Sequence, residues 1–300
     1  VKTFYRPDII QARYEGLPDP PLTTHDTSKA LQQGMEAFQK KDFDQAIMNF
    51  DQVLLEKPED VAFYHRGIAY REKELFKSAV TDLKMAIELN PGYGEAYADL
   101  GELFLRTERY EEALPILDKA VELKPELWSV WSNRGELHSN ITQNFDQALA
   151  DYSKAIELKN DLPALYSLRA QVYGKKQMVA QAIQDIQMAQ KLDPNNPSPY
   201  FQLGWNYLFI REFDKSIANT QKAIELGDQY YQILALTNLG HAYLFKDQYQ
   251  KALETYQQGL DYTIGGKKFA ELILEDYALF RSRQLTHPDM DKIEQYLKNL

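Results

Sequence analysis

The sequence predicts an all-α solenoid, a stack of helix–turn–helix units, on three observations. A small residue returns at a near-constant interval, at Gly34, Gly67, Gly101, Gly135, Ala170, Gly204 and Gly240, in steps of 33, 34, 34, 35, 34 and 36. A second small register runs beside it, at Ala46, Ala79, Ala113, Ala148, Ala182, Ser216 and Ala252, in steps of 33, 34, 35, 34, 34 and 36. Between the two, apolar residues keep helical spacing: in the unit LGELFLRTERYEEALPILDKAVELKP, Leu100 and Phe104 stand one turn apart, and Leu114, Leu117 and Val121 form a second stripe. A unit of this length buries its apolar face only against its neighbours, so the period decides the architecture.

The elements follow in chain order. Residues 1–26 lie outside the repeat. Pro7 suits the first position of a short helix, PDIIQARYEG, and the Pro-rich LPDPPLTTHD after it should be extended. This arm carries Phe4, Tyr5, Ile9, Ile10 and Tyr14, too much apolar surface to leave in water. It either packs on the first repeat or a preceding domain, or serves as a tether or a segment lying in a groove. Seven repeats occupy residues 27–262, starting near 27, 60, 94, 128, 163, 197 and 233. Gly101, Ala113 and Ala120 let the two helix backbones approach, and Pro125 stops the unit because it lacks an N–H. The interval between the two small positions is 12 residues except in the fourth repeat, where it is 13. One residue is therefore inserted near Asn140–Asn144, in the internal turn. The connection from Ser216 to Gly240 is 24 residues against 21 or 22 elsewhere, which predicts a longer loop around Gly227–Tyr231. Pro115 should kink or shorten the start of its helix. Residues 263–300 supply two capping helices, KKFAELILEDYALFRSRQ and THPDMDKIEQYLKNL, because an end repeat otherwise exposes its apolar face. No β-sheet is expected.

The unit resembles the tetratricopeptide repeat, with its apolar–Leu–Gly–x–x–Tyr opening and its Ala, aromatic, Ala and Pro closing. Tyr200, Leu203, Gly204 and Tyr207 show the opening; Ala46, Phe50, Val53 and Pro58 show the ending. Asn160 and Asp228 depart from the pattern where Pro is usual, and Gly259 replaces Ala. The resemblance implies a right-handed superhelical solenoid whose first helices line a concave face. FYRPDII, over about ten residues, also resembles the segment that follows caspase-like or WD-repeat modules in large bacterial proteins.

Composition narrows the function. Charged residues are 26% and apolar ones 44%, as in a folded water-exposed protein. The net charge of −10 argues against nucleic acid, which needs clustered Lys and Arg, and favours a partner with basic segments. With no cysteine there is no disulfide, thiolate nucleophile or Cys-based metal site. No apolar run approaches a membrane span and no signal peptide is visible, so a cytoplasmic protein is expected, or a periplasmic or secreted one if Val1 is a processed terminus. A start at Val1 also fits a piece of a longer polypeptide.

No catalytic set, metal site or cofactor site is expected. His25, His65, His138, His241 and His287 are scattered without an HExxH pair. Gly92-Tyr93-Gly94 lacks its third glycine. Gly265-Gly266-Lys267 lacks the upstream glycine of a phosphate loop, and Lys268 stands where Ser or Thr is needed. Glu111-Glu112 and Glu59-Asp60 sit at helix starts, where they suit the dipole.

The function then lies on the concave face that the resemblance implies. By register, Glu95, Asp99, Glu102 and Glu136 point there in the third and fourth repeats, Phe201, Trp205 and Phe209 in the sixth, and Asn238, His241 and Phe245 in the seventh. The aromatics either bind an apolar segment of a partner or of the chain itself, or pack against the C-terminal helices. The acids would steer basic residues of the same ligand. The family's two-carboxylate clamp for a chaperone tail is missing, since Leu31 and Met35, or Ala98 and Glu102, occupy its Asn and Lys positions and only Asn133 matches. A chaperone tail is not the expected ligand. The expected protein is a protein–protein interaction scaffold without catalysis of its own. The alternative is a regulatory or recruiting module of a larger polypeptide, such as a bacterial protease or signalling protein.

Overall fold

The computed structural model describes residues 29–299; the N-terminal arm, with the expected short helix and FYRPDII, lies outside them. The described residues form sixteen helices and one two-stranded hairpin. Seven helix pairs come first. They are α1 (Lys29–Gln39) with α2 (Phe43–Glu56), α3 (Asp60–Glu72) with α4 (Phe76–Leu89), α5 (Gly94–Arg106) with α6 (Tyr110–Leu123), and α7 (Trp128–Asn140) with α8 (Phe145–Leu158). Then come α9 (Pro163–Lys175) with α10 (Val179–Leu192), α11 (Pro197–Phe209) with α12 (Phe213–Leu226), and α13 (Gln229–Phe245) with α14 (Tyr249–Gln257). The hairpin β1 (Thr263–Ile264) and β2 (Lys267–Lys268) leads to α15 (Phe269–Ser282) and α16 (Met290–Lys298). Among the described residues no helix is long and apolar enough to cross a membrane.

The chain divides into two compact units after Asn160. In the first, Leu100, Phe104, Ala113 and Leu117 are buried in one core, as their spacing predicts. The small position is a packing requirement: a Cβ on Gly101 would lie 2.6 Å from Leu117 Cδ2. In the second unit the core runs from Leu208 through Ala252 and Tyr256 to Phe269, Ile273, Tyr277 and Phe280 of α15 and Ile293 of α16. First helices of successive repeats also touch directly, α1 with α3, α3 with α5 and α5 with α7 in the first unit, α11 with α13 in the second. They form an inner layer in each unit, with the second helices outside it.

Each pair turns through one left-handed residue that is not glycine: Lys41, Glu74, Glu108, Gln143, Gln177, Arg211 and Asp247, all with φ between 53° and 61°. The same conformation recurs at Gln284 (φ 59°), between α15 and α16. Its main-chain bonds recur as well: Gln248 N–H donates to Tyr243 C=O as Leu285 N–H donates to Phe280 C=O. The cap is thus an eighth helix pair whose small-residue signature is gone.

Four expectations about local structure meet the coordinates. The inserted residue of repeat four lies in its internal turn, between Asn140 and Phe145. The extra length after Ser216 does not lengthen a loop. It adds a turn to α13, which starts at Gln229 and runs 17 residues, because Asp228 caps it by accepting from Tyr231 N–H and nothing in QYYQ breaks a helix. Pro115 does not shorten α6, which keeps 14 residues. At the sixth helical position its ring removes a single bond, the one to the Glu111 carbonyl. The expected absence of sheet fails at 263–268, where Gly265 (φ 60°) and Gly266 (φ 85°) make the tight turn of a hairpin.

Candidate interaction surface

The inner layer of the first unit carries charge. Between α3 and α5, Arg71 Nη1 donates to Asp99 Oδ1 at 2.7 Å and Tyr64 Oη donates to Asp99 Oδ2 at 2.8 Å. Both ionic side chains are almost wholly buried, 1% and 2% exposed. Asp99, one of the four predicted steering acids, is therefore committed to Arg71. Glu95 pairs with Lys124 at 2.7 Å. Glu102 is buried on α5 and Glu136 half-buried on α7. Around them the layer mixes small and apolar side chains, Ala98, Ser132 and Ser139 with Ile68 and Leu105, all buried.

In the second unit the predicted aromatics come together, and Phe280 of α15 joins them. Its ring lies 5.4 Å from Trp205, 5.6 Å from Phe209, 4.8 Å from His241 and 5.3 Å from Phe245, centroid to centroid. Trp205 and Phe209 pack edge to face at 5.2 Å. Arg283 lies 4.6 Å above the Phe209 ring, and burial lowers its pKa. Phe201 stands apart from this group, against Tyr231 at 6.4 Å. Asn238 is fully buried and donates from Nδ2 to the Phe201 carbonyl, tying α13 to α11.

His241 is fully buried and serves the cap. Its Nε2 is 3.0 Å from Asp276 Oδ2 and its Nδ1 is 2.6 Å from Tyr256 Oη, which is 3.3 Å from Tyr277 Oη. An ionised Asp276 only accepts, so Nε2 carries the proton, Tyr256 donates to Nδ1 and Tyr277 donates to Tyr256. Burial raises the pKa of both phenols and keeps them neutral. The network joins α13, α14 and α15 and is satisfied throughout. Four of the six predicted residues on α11 and α13, Trp205, Phe209, His241 and Phe245, thus face the chain's own cap, and Phe201 and Asn238 lie apart from it.

Sequence reasoning missed a second periodic feature. Arg66 grips Asp82 through Nε and Nη2, at 2.7 and 2.8 Å, and reaches Asp51 of the preceding second helix at 2.6 Å. Those bonds, led by the one to Asp82, hold its pKa above the ordinary value. Arg134 does the same to Asp151 and Asp118, and Arg169 grips Asp185. The signal was in the sequence: Arg directly before the small position and Asp 16 or 17 residues on. Among the described residues no group of three or more His, Asp or Glu is placed to hold a metal ion.

The repeat geometry has counterparts among known proteins. Models described as tetratricopeptide repeat match residues 64–127 and 235–268, and one described as TPR repeat matches 141–177. The chain is a tetratricopeptide repeat protein. Heat shock protein STI1 of Saccharomyces cerevisiae is 33% identical over 76 residues, which are 25% of this chain and 13% of that protein. The crystal structure of YrrB, described as a TPR protein with an unusual peptide-binding site, superposes with a TM-score of 0.54 at 22% identity, over 68% of this chain and 98% of YrrB. A crystal structure of MamA gives 0.51 at 23% identity, over 55% of this chain and 90% of that one. Both likenesses bear on the tetratricopeptide fold.

Proposed function

We propose that this tetratricopeptide protein is a protein–protein interaction scaffold, without catalysis of its own, that holds a peptide segment or partner on its inner face. The observation that carries the reading is the inner layer of the first unit. There the first helices α3, α5 and α7 touch in sequence and α5 and α7 carry the acids Glu102 and Glu136, while Ile68 and Leu105 belong to the core beneath. Acids on that layer suit a ligand with basic flanks. The site described for YrrB supports a peptide as the class of ligand for this fold. In the second unit the matching positions serve the cap, so the first unit is the better seat for a partner.

Selection of short peptides from a random displayed library on the immobilised chain tests this. Selected sequences should be rich in Lys or Arg beside aromatic or aliphatic residues. Glu136→Lys should weaken them at least tenfold and flatten the salt dependence of association. If they bind wild type and Glu136→Lys with equal affinity, the inner face of the first unit is not the site.

A further inference from the structure

We propose that the outward stripe of α2 is the docking site of this chain's own N-terminal segment, with Ile10 and Tyr14 seated over Met48 and Leu55. The segment then covers the outer side of the first helix pair. The inference goes beyond the inner-face reading and does not depend on it.

The stripe is free, and it is unlike its counterparts. Met48 is 57% exposed and Leu55 is 86% exposed, two turns apart on one side of α2. In the other six repeats the position of Leu55 holds Glu88, Glu122, Glu157, Lys191, Glu225 and Asp261, all exposed. The position of Met48 is polar, alanine or Pro115 in those repeats, and exposed in each. Repeat packing therefore asks for no large apolar side chain at either place. Two of them on one stripe, where every other repeat is solvated, mark a contact.

The path of the chain points to the occupant. The N-terminal segment joins the fold at Lys29, the first residue of α1. The short turn between Gln39 and Phe43 makes α1 and α2 antiparallel, so that junction lies beside the end of α2 that carries Leu55. Within PDIIQARYEG, expected as a short helix, Ile10 and Tyr14 stand one turn apart on one side with Pro7, and Asp8, Gln11 and Glu15 turn away from them. At about 1.5 Å per residue such a helix is about 15 Å long, and the stripe from Met48 to Leu55 is about 10 Å long. The Pro-rich residues 17–28 that follow reach about 35 Å at about 3 Å each, and packed helices stand about 8–10 Å apart, so the connection spans the first pair with length to spare. So short a tether holds the segment at an effective concentration in the millimolar range, and a modest apolar contact is enough to seat it.

The test compares the full chain with a variant carrying Met48→Thr and Leu55→Glu, which gives α2 residues that other repeats hold at those positions, with melting curves confirming an intact fold. In wild type, amide hydrogen exchange in residues 7–16 should be slow, and trypsin should cut slowly after Arg13. In the variant both should quicken at least tenfold, with exchange in 60–257 unchanged. Ile10→Asp, which leaves α2 as it is, should quicken cleavage after Arg13 to the same degree. Fast exchange and cleavage already in wild type overturn the proposal. Protection that survives in either variant overturns it too, because the segment is then seated elsewhere. Protection that grows with protein concentration assigns the stripe to a second copy and also overturns docking in cis. No peptide ligand enters these measurements, so the inner-face reading stands or falls separately.

Discussion

Between α3 and α5 the first unit places a buried ion pair, Arg71 with Asp99, closed by the Tyr64 hydroxyl. Between α11 and α13 the second unit places Trp205, Phe209, His241 and Phe245 beneath Phe280 of its own cap. The helix pairs are built alike: Gly101 stands against Leu117 in one unit and Gly240 against Tyr256 in the other. Pair packing fixes the small and apolar positions. It leaves the remaining inner side chains open to a different use in each unit, a buried ion pair in one and an aromatic seat for the last helices in the other.

The two arrangements should break differently. Asp99→Ala leaves the Arg71 guanidinium buried with Glu72 as its remaining acid, which costs about 3 kcal/mol, the low end for breaking a buried pair. Phe280→Ala opens a cavity under four rings at a similar cost of about 3–5 kcal/mol. In a stacked fold the damage should stay near its origin. Trp128 and Trp131 report the first unit and Trp205 the second. Urea unfolding followed by fluorescence, with Trp205→Phe as a background for the first pair, should show Asp99→Ala lowering the Trp128 and Trp131 midpoint. Phe280→Ala should lower that of Trp205. Equal loss in both signals from either variant would make the chain one cooperative block.

Substitution at the shared small position should hurt both units alike. A Cβ on Gly101 would meet Leu117 at 2.6 Å and one on Gly240 would meet Tyr256 at 2.2 Å. Gly101→Leu and Gly240→Leu should each cost about 1–3 kcal/mol by overpacking. Wild-type melting of either variant would remove that glycine from the packing register. Tyr256→Phe sits lower in the same range, about 1–3 kcal/mol, since it strips His241 Nδ1 of its donor in a buried site.

The repeat register was legible because pair packing leaves a chemical trace: a Gly or Ala wherever two backbones meet, a large apolar residue one turn away. The turns left none. Lys41, Glu74, Gln143 and Arg211 adopt a left-handed conformation that their side chains do not announce. The added turn of α13 read as a loop because extra length between repeats says only that residues are present. Gly265-Gly266 was weighed as a phosphate loop when its positive φ angles serve a hairpin. At the surface, the aromatic cluster could be seen in the sequence, and packing on the C-terminal helices was one of its two readings. Phe280 could not be singled out, because the cap lies beyond the last small position. Asp99 read as a free acid because its partner, Arg71, sits one repeat earlier at a position outside the packing pattern.

The smallest predicted effect concerns the side of the repeats that the two units share. Arg134 in the first unit and Arg169 in the second each hold an Asp of their own second helix through Nε and Nη2. Lysine keeps the charge but offers a single ammonium where the guanidinium offers a planar fork, so two parallel bonds become at most one. The arginines are partly exposed, 13% and 19%, so solvent screens much of the gain. Arg134→Lys and Arg169→Lys should therefore each cost about 0.5–1 kcal/mol in urea unfolding. The loss should shrink in 1 M salt, where the screening length falls to about 3 Å. Arg134 also reaches Asp118 on the preceding second helix. Losses that match within this margin would confine the difference between the units to the inner layer. A loss of about 2 kcal/mol or more in one unit alone, beyond what exposed pairs supply, would show that their outer layers are built differently as well.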